Sequence, residues 1–497
     1  MGAPFPVLES YLGFMRDLPR HQLPGGILWD MVDWIPQLDG AARRRFGWSA
    51  VDASTFSVRN ASATNYGSMV AYAPYTATGA EIVAVTSNGY LIKIPVSTGV
   101  GAYVGTVTAK ARPVFHREKL VIMDQSHVPT FYSGNGAALT SASGGPQAAC
   151  GTLFGDYTLL CNTAANPQRG YFSAAGDPTT WDTTNSWIDM PGKIIGVQGL
   201  RNAIIFFTGS QVWRVRGDTP PQLNVVGNLI KDHLYDTGLL DERSIATYGE
   251  QVVFANTEGI WLTDGAKVTN LAERGGILTY WQSLLKNYQS SWTIAGGVYR
   301  GYYTVSVSDG SGNNIDFLVC DLSQGHWFRF SDIVATMFAH ATGLGESSYF
   351  VGPNGYVGNL ANIWGVQSST DQGGAVILPS LETPFFRGWQ RFHRKWIPTD
   401  ATSVWQRIYV NYDAPGAGSG LRLAYTTSSE AGAPYTTIGD LPTTTAPTRT
   451  RMVINPNGGA VPARGIGFKI YQAAGMTPTD LRLNDVELEY YTREGSR

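Results

Sequence analysis

Side chains that could bind a metal are sparse in this sequence. The seven histidines stand at positions 21, 116, 127, 233, 326, 340 and 393, and no two have the i, i+4 spacing of a zinc-binding helix. His116 and His127 could flank one hairpin, but without a third ligand we interpret them as ordinary polar histidines. Cys150, Cys161 and Cys320 are too few and too scattered for a disulfide framework or a zinc site, which favours a reduced, intracellular chain. We expect no metal site.

One loop carries oxygen ligands at alternating positions, as calcium-binding loops do. It runs from Asp309 through Ser311, Asn313 and Asn314 to Asp316. The loop lacks the closing bidentate glutamate and lies where a hairpin turn is needed. A plain turn is therefore the preferred interpretation, and a cation site is the alternative.

Signatures of nucleotide-binding and hydrolytic enzymes are missing from the sequence. There is no Walker loop, no Gly-x-Gly-x-x-Gly segment between strand and helix, no His-Glu-x-x-His and no Gly-x-Ser-x-Gly. A glycosidase would need two carboxylates about 5–10 Å apart, and the spacing of the acidic residues does not show which of them converge. We predict that the chain is not an enzyme and uses no cofactor.

Two stretches mix cations with aromatic residues, as surfaces that bind nucleic acid do. The first is Arg43-Arg44-Arg45, followed by Phe46 and Trp48. The second spans 385–396, and its cations are Arg387, Arg391, Arg394 and Lys395. Because the net charge is −2 and the pI about 6.4, we favour ion pairing with a neighbouring domain or subunit over contact with DNA.

The elements that must position these residues are short strands. The 497 residues include 58 glycines and 26 prolines, so about 17 % are turn formers, against roughly 12 % in an average protein. Runs of alternating apolar residues end in turn residues, as on either side of Ser-Asn-Gly at 87–89. This pattern predicts an all-β chain. Charged residues make up 15 %, where roughly 25 % is usual, which indicates a surface shared with partner subunits.

No membrane span is predicted. The N-terminus lacks the charged start and continuous apolar run of a signal peptide. The longest apolar stretch, at 203–207, is far shorter than the roughly 20 residues of a membrane helix.

Hairpins recur with a period close to 40 residues. The apolar or aromatic residue that opens the second strand of each hairpin recurs at Tyr90, Phe131, Tyr171, Val212, Ile260, Phe317 and Tyr356. Such a period matches a four-stranded propeller blade of roughly 40–50 residues. We predict a β-propeller of about six or seven irregular blades over 56–370, with one helix inserted at about 277–288.

The two ends of the chain differ from this middle part. Residues 1–55 predict an extended, loop-rich arm with apolar anchors and the strand that leads into the propeller. From about 380 to 497 the strands are longer and the 40-residue period is absent, which predicts a C-terminal β-sandwich. A Ser/Thr/Asp/Gln/Gly run at 368–374 is the expected linker.

Several segments resemble a known family when they are taken in order. Tyr171-Phe-Ser-Ala-Ala-Gly-Asp-Pro-Thr-Thr-Trp181 is similar to a segment of the tail stabilisation and tail-nozzle proteins of short-tailed phages. So are Thr237-Gly238 to Ser244, the hairpin from Val252 to Leu262 with its following helix, the arm that ends in Arg45-Phe-Gly-Trp48, and the C-terminal strands around Phe468 and Leu488. The resemblance covers most of the chain, although the hairpin turn carries Glu258 where the family more often has aspartate.

This resemblance implies a structural protein of the virion tail, assembled in the host cytoplasm. Six copies would form a ring, the nozzle, that extends the DNA channel below the adaptor, contacts fibres or spikes, retains the packaged genome and opens for its ejection. Double-stranded DNA would pass through only transiently. Glycine-rich turn tips are candidates for the gate, and we select Asp309, Ser311, Asn313 and Asn314.

Two alternatives remain open at this stage. The first is a propeller that binds or hydrolyses glycans, with Trp181, Trp187 or Trp213 stacking on sugars, although tryptophan in a propeller is more often core. The second is a minor head–tail connector or structural protein of a long-tailed phage. Glycan binding would favour the first, and the copy number and place in the particle would separate the second from a nozzle.

Overall fold

A computed structural model provides the structure of the chain. It describes residues 5–48, 69–73, 81–85, 89–95, 98, 100–107, 113–134, 137–309, 311, 313–341, 349–351, 357–365, 371, 377–387, 389–392, 395–398, 403–413, 421–430, 432–442, 448–454, 461–472 and 481–492. Strands account for 55 % of the structure and helices for 6 %, which confirms the all-β class.

Six short strands form the N-terminal arm. They are β1 (Phe5–Leu8), β2 (Gly13–Phe14), β3 (Ile27–Leu28), β4 (Asp30–Val32), β5 (Trp34–Pro36) and β6 (Ala42–Arg44), with a 3₁₀ turn at Arg20–Gln22. Of the expected anchors Leu28, Trp29, Trp34 and Ile35, all are buried except Trp29, which is partly exposed. So short a segment cannot bury such side chains by itself, and the arm lies on the sheets that follow.

Seven consecutive antiparallel sheets, which we call blades 1 to 7, follow the arm. Blade 1 has β7 (Met69–Ala73), β8 (Glu81–Val85), β9 (Tyr90–Pro95) and β10 (Ala102–Thr106); blade 2 has β11 (Val114–His116), β12 (Lys119–Asp124), β13 (His127–Tyr132) and β14 (Thr140–Ser141); blade 3 has β15 (Ala148–Phe154), β16 (Tyr157–Thr163), β17 (Arg169–Ala174), β18 (Asp177–Trp181) and β19 (Trp187–Asp189); blade 4 has β20 (Ile194–Gly199), β21 (Ala203–Thr208), β22 (Val212–Arg216) and β23 (Ile230–Tyr235).

The remaining blades follow the same order from first strand to last. Blade 5 has β24 (Ala246–Tyr248), β25 (Gln251–Asn256), β26 (Gly259–Thr263) and β27 (Val268–Asn270); blade 6 has β28 (Thr293–Tyr299), β29 (Tyr302–Ser308), β30 (Asn314–Asp321) and β31 (Trp327–Phe330); blade 7 has β32 (Met337–Phe338), β34 (Tyr349–Val351) and β35 (Val357–Asn359), while β33 (His340–Ala341) pairs with β7. Within the described ranges blade 7 therefore has three strands rather than four.

The blades close into a ring through their apolar faces. One core cluster joins blades 1, 2 and 3, a second joins blades 3 and 4, and a third joins blades 4 and 5. The largest cluster continues through blades 5, 6 and 7, and a fifth returns from blade 7 to blade 1, with Tyr349 beside Ile82. A sequence of sheets in which each packs on the next and the last on the first is a β-propeller. The predicted propeller is therefore confirmed, and the described residues form seven blades.

Position within a blade explains the burial pattern of its strands. Every residue of β21 after Ala203 is buried, because both of its faces pack on neighbouring blades. The last strand of the same blade, β23, is only partly covered along its whole length. The apolar run at 203–207 is thus a blade strand.

Three short helices occur in the described residues. They are α1 (Leu271–Arg274), α2 (Leu278–Leu284) and α3 (Leu360–Gly365), with a 3₁₀ turn at Glu242–Ser244. The predicted inserted helix is found as α2. Its first N–H groups, those of Leu278 and Thr279, donate to the carboxylate of Asp17 at 2.8 and 2.9 Å, so the arm caps a helix that lies 261 residues away. None of these helices is long and apolar enough to cross a membrane.

The C-terminal strands form the two packed sheets of the predicted sandwich and a separate hairpin of β38 and β39. They are β36 (Ser380–Glu382), β37 (Phe386–Arg387), β38 (Trp389–Phe392), β39 (Lys395–Pro398), β40 (Ser403–Asp413), β41 (Leu421–Thr426), β42 (Thr436–Asp440), β43 (Thr448–Val453), β44 (Val461–Ala463), β45 (Gly465–Gln472) and β46 (Arg482–Thr492). Ile408 and Leu488 of one sheet share a core cluster with Leu423 and Ile470 of the other.

The arm does not extend freely but supplies strands to both sandwich sheets. β1, β5 and β6 join the sheet of β40 and β46. β4 pairs with β31 of blade 6 on one side and with β36 of the sandwich on the other. One continuous sheet therefore runs from the propeller through the arm into the sandwich. The domain limits 1–55, 56–370 and 380–497 stay predictions, and residues 49–55 and 366–370 lie outside the described ranges.

Candidate functional site

The two motif segments around blade 5 meet at the side chain of Asn256. This residue ends β25 and is buried. Its Oδ1 accepts three hydrogen bonds, from the backbone N–H of Glu258 at 2.9 Å, that of Gly259 at 3.0 Å and the indole N–H of Trp261 at 2.9 Å. Its Nδ2 donates to Thr237 Oγ1 at 2.6 Å and to the Gly238 carbonyl at 2.8 Å. One amide thus joins segments that the sequence separates by about twenty residues.

Two further hydrogen bonds extend the network around Asn256. Trp281 of α2 donates its indole N–H to the Asn256 carbonyl at 2.7 Å, and Thr237 Oγ1 donates to Glu258 at 3.1 Å. A Cβ on Gly238 would lie 2.1 Å from the backbone of Gly209, so only glycine fits this close approach. The glutamate that departs from the family pattern therefore takes part in the same network.

Arg45 lies at the centre of a buried ion cluster that ties the arm to distant parts of the chain. Its guanidinium and the carboxylates of Asp33 and Asp371 have almost no exposed surface. Nε contacts Asp33 at 2.5 Å, and the two terminal nitrogens contact Asp371 at 2.6 and 2.8 Å. One of those nitrogens also donates to the Ser331 carbonyl at 2.8 Å. Arm, blade 6 and the linker before the sandwich thus meet at one side chain.

Burial and ion pairing have opposite effects on the pKa values of this cluster. Burial favours the neutral form of Arg45, but the charges of Asp33 and Asp371 outweigh it, so the pKa of Arg45 is raised. Burial raises the pKa of Asp371 despite the opposing hydrogen bond and charge of Arg45. Removing one member would leave buried charges uncompensated, which is costly in a poorly solvated interior.

A second ion cluster joins the same arm to blade 6. Asp30 accepts two hydrogen bonds from Arg329, at 2.8 and 3.0 Å, and Arg16 lies 3.0 Å away. Arg329 also contacts Asp316 at 3.4 Å and the hydroxyl of Tyr280 at 2.9 Å, and that hydroxyl donates to Asp316. Burial raises the pKa of Tyr280 and of Asp316. The arrangement holds β4 against β31 and the helix α2.

The two ion clusters connect separate elements of the chain. Every arginine in the two clusters is engaged by carboxylates, and the three cysteines are buried within core clusters. Burial and then the charge of Asp321 raise the pKa of Cys320 well above its ordinary value, which keeps the thiol protonated and unreactive. No group of three or more metal-ligating side chains was found in the described part of the chain.

The predicted basic residues of the arm do not form an exposed face. Arg44 and Arg45 are buried, and Arg44 donates to the Ile377 carbonyl at 3.4 Å. Arg43 is half-buried with its guanidinium over the Phe46 ring at 4.5 Å. Arg44 and Arg45 have almost no exposed surface and contact other parts of this chain, Arg45 through Asp33 and Asp371. A part of these arginines in DNA or partner contact stays a prediction.

The second basic stretch is described only in its backbone. Arg387 ends β37, Arg391 lies in β38 and Lys395 opens β39, and β38 and β39 form a two-stranded hairpin. Arg394 lies outside the described residues. Their part in DNA or partner contact stays a prediction.

The candidate gate loop is a turn that its own hydrogen bonds close. The carboxylate of Asp309 accepts from the backbone N–H of Ser311 at 2.9 Å, from that of Asn313 at 2.8 Å and from the Asn313 amide at 2.9 Å. Asn314 begins β30 on the far side of the turn. Such hydrogen bonds are typical of a plain turn. That the loop binds a cation, or that it forms the gate, stays a prediction.

A polar cavity of about 450 Å³ opens beside the propeller core. It is lined by the turn of blade 2 at Asp124 and by the segments that lead into blades 5 and 6, with Glu242, Tyr288 and Trp292. The Tyr288 and Trp292 rings are 5.9 Å apart in an edge-to-face arrangement. Carboxylates beside aromatic rings are chemically suited to polyols.

Sequence reasoning missed the residues that carry these contacts. Asp33, Asp371 and Asp30 gave no signal, because their partners lie 12 to 326 residues away. Asn256 stood in the motif segment, at the end of a hairpin strand followed by Thr-Glu-Gly, and an asparagine before a tight turn is the one available hint.

No family model matches the chain, and no curated protein matches it in sequence. It is similar in structure to YCF48 from Cyanidioschyzon merolae (10 % identity, 63 % of this chain and 98 % of that one, TM-score 0.41). It is also similar to the Pan2 WD40 domain of Neurospora crassa (8 %, 64 % and 93 %, 0.39) and to the computationally designed Ika8 protein (14 %, 59 % and 96 %, 0.36). The propeller assignment rests on the strand order and the closed ring of sheets.

Proposed function

We propose that the chain is a structural subunit of a phage tail nozzle. Six copies would form a ring that extends the DNA channel, retains the packaged genome and opens for its ejection. The proposal begins from the ordered motifs that resemble the tail-nozzle family. In this proposal the chain is not an enzyme and uses no cofactor. It is assembled in the host cytoplasm and functions in the virion tail.

The observation that carries the proposal is the continuous sheet from blade 6 through β4 to the sandwich. Two bodies joined only by a linker would move independently. Here the arm pairs with both, and the buried clusters of Arg45 and Arg329 fix it in place. A rigid connection between two bodies suits a ring that holds DNA under pressure.

The charge distribution gives independent support. Several exposed or half-exposed arginines bind acidic partners in the same chain, as Arg216 does with Asp232 and Arg422 with Asp440, both at 2.6 Å. Paired cations attract phosphates weakly. A channel for genome passage must not retain DNA, and internally neutralised arginines meet that requirement.

The direct test is the mass of the purified full chain, alone and with tail adaptor, by multi-angle light scattering. We expect a ring of six copies. A chain that stays monomeric even with the adaptor would contradict the proposal. One or two copies per particle at a head–tail connection would instead support a connector of a long-tailed phage.

The cavity at Tyr288 and Trp292 favours one second candidate, a glycan-binding propeller. The three tryptophans first considered for sugar stacking are engaged within their own blade: the rings of Trp187 and Trp213 contact Arg169 and His233, and the Trp181 indole donates to Pro178. Binding of glycans by the chain, abolished in Trp292→Ala and retained in Trp187→Ala, would support this candidate. The absence of binding to any glycan on an array would contradict this candidate.

A further inference from the structure

The outer strand of blade 4, β23, has an open edge. It is six residues long, the longest outer strand of the described blades, and it pairs with β22 on its inner side. Among the described residues no strand pairs with its outer side, and 230–235 contains no proline. Such an edge presents a row of backbone N–H and C=O groups, to which a further strand can be added.

Blade 6 shows how this molecule covers the edge of a blade. Its outer strand β31 pairs on the outer side with β4 of the arm, and the pairing residue of β31 is Arg329. Asp30 of β4 accepts two hydrogen bonds from Arg329, at 2.8 and 3.0 Å, and the next residue, Met31, is fully buried. The strand that covers this cationic edge therefore carries an acidic residue beside an apolar one.

The two outermost strands of blade 4 carry three cations and one carboxylate. Arg214 and Arg216 both bind Asp232, at 3.1 and 2.6 Å. The ammonium group of Lys231 is exposed and donates to the Asp189 backbone carbonyl at 3.0 Å. One aspartate cannot neutralise three cations, so the edge of blade 4 has an excess of positive charge.

These cations lie on both faces of the sheet. Asp232 pairs with Arg214 and Lys231 pairs with Val215, so Lys231 and the arginines point to opposite faces. A nucleic acid or an anionic membrane would be bound by one continuous basic surface. An added strand alternates its side chains between the two faces and can present an acidic residue to each. The distribution of charge therefore favours an extended acidic segment over the other anionic partners.

We propose that the outer edge of β23 binds an extended segment of a partner protein, with aspartate or glutamate among apolar residues. Its backbone continues the sheet of blade 4, and its carboxylates bind Lys231 on one face and Arg216 on the other. Ile230 and Tyr235, which are 56 % and 43 % exposed near the two ends of β23, contact its apolar side chains. This site goes beyond the nozzle proposal, because a single copy of the chain contains all of it.

Two labelled peptides and the full chain provide the first test. One peptide has about ten residues, valine and threonine with aspartate on both faces, and the other has lysine in place of aspartate. In fluorescence anisotropy at about 150 mM salt, the acidic peptide should bind at least about tenfold more tightly than the basic one. Equal binding of the two peptides would contradict the proposed partner.

Charge reversal locates the site on the chain. The double variant Arg216→Glu, Lys231→Glu should bind the acidic peptide at least about tenfold more weakly. The matched control Arg422→Glu, in an exposed ion pair of the same 2.6 Å length on the sandwich, should bind it as the unchanged chain does. Both substituted side chains of the double variant are at the surface, and unchanged circular dichroism and melting would confirm its fold. Undiminished binding by the folded double variant would overturn the site.

A third peptide separates strand addition from attraction between charges. It has the acidic sequence with N-methyl groups on its central residues, which remove the backbone donors from both of its edges. It should bind at least about tenfold more weakly than the unmethylated peptide, and only the latter should slow amide hydrogen exchange in β23. Equal binding of the methylated peptide, or equal competition by a short DNA duplex, would overturn strand addition.

The outcome is separable from that of the nozzle proposal. A chain that forms rings of six copies but binds no acidic peptide would overturn the edge site and leave the nozzle intact. A chain that binds the acidic peptide through β23 but stays monomeric with the tail adaptor would support the edge site and contradict the nozzle.

Discussion

Arg45 in the arm and Arg216 in blade 4 both bind aspartate, yet they differ in what they hold together. Arg45 is wholly buried and its two carboxylate partners lie 12 and 326 residues away. The side chain of Arg216 is 51 % exposed and binds Asp232 of the adjoining strand. β22 and β23 are also held together by backbone pairing, whereas the arm contacts the linker through Arg45. The difference shows that placement, rather than arginine content, decides which cations maintain the architecture.

The largest expected effect is that of Arg45→Met. The substitution leaves Asp33 and Asp371 buried without a counter-charge, which costs about 3–5 kcal/mol. We expect a lower melting temperature and early proteolysis in the arm. The control Arg422→Met, which removes an ion pair with Asp440 on the surface of the sandwich, should change little because water screens that pair. Equal losses in the two variants would contradict the comparison.

A companion variant separates lost charge balance from lost packing. Arg45→Met combined with Asp33→Asn and Asp371→Asn removes all three charges and should recover much of the lost stability. Asparagine is tolerated at position 33, where φ is 60°. Continued instability of the triple variant would show that the guanidinium hydrogen bonds matter more than the charges.

Asn256→Ala extends the comparison to a buried neutral group. It leaves three donors without their acceptor, so we expect a loss of about 2–4 kcal/mol in chemical unfolding. Asn270→Ala, which removes an asparagine that caps α1, should cost about 1 kcal/mol. If the two costs were alike, Asn256 would be a local turn residue and not a connection between segments.

We expect the stability of the chain to depend on pH through one histidine, His116. Burial, followed by the charge of Arg117, lowers the pKa of His116 below its ordinary 6.5, so the folded chain keeps this ring neutral while the unfolded chain binds a proton. Stability should therefore fall as the pH drops below about 6.5. His116→Gln should make the melting temperature less dependent on pH between 7.5 and 5.5. An unchanged slope would assign the pH dependence elsewhere.

The smallest effect on stability is expected at the exposed ion pair of Arg216 and Asp232. Arg216→Ala should leave the melting temperature almost unchanged, because water and salt screen the attraction and Arg214 still contacts Asp232. Melting curves in 50 and 500 mM salt measure this directly. A loss as large as that of Arg45→Met would remove the distinction between buried and exposed pairs.

The regular parts of the fold were readable from local sequence. The hairpin predicted on either side of residues 87–89 is found as β8 and β9 of blade 1. The hairpin that crosses Thr-Glu-Gly is β25 and β26 of blade 5. Alternating apolar residues and turn residues act over a few positions, so a single sequence contains the whole signal.

The arm and its contacts could not be predicted in the same way. The sequence shows three consecutive arginines, but whether they face water depends on Asp33 and Asp371, which the fold brings together from opposite ends of the propeller segment. The helix predicted over 277–288 is shorter, because its first turn depends on Asp17 in the arm and Leu285 already caps its end. Long-range partners leave no periodic pattern in the chain.

The most direct test of the nozzle proposal is an image of the chain within an assembled particle. Electron cryomicroscopy of virions that contain the chain should show six copies around the DNA channel below the adaptor. In each copy the arm should lie between propeller and sandwich. Density for the chain on the capsid surface or in a peripheral fibre, away from the channel, would contradict the proposal.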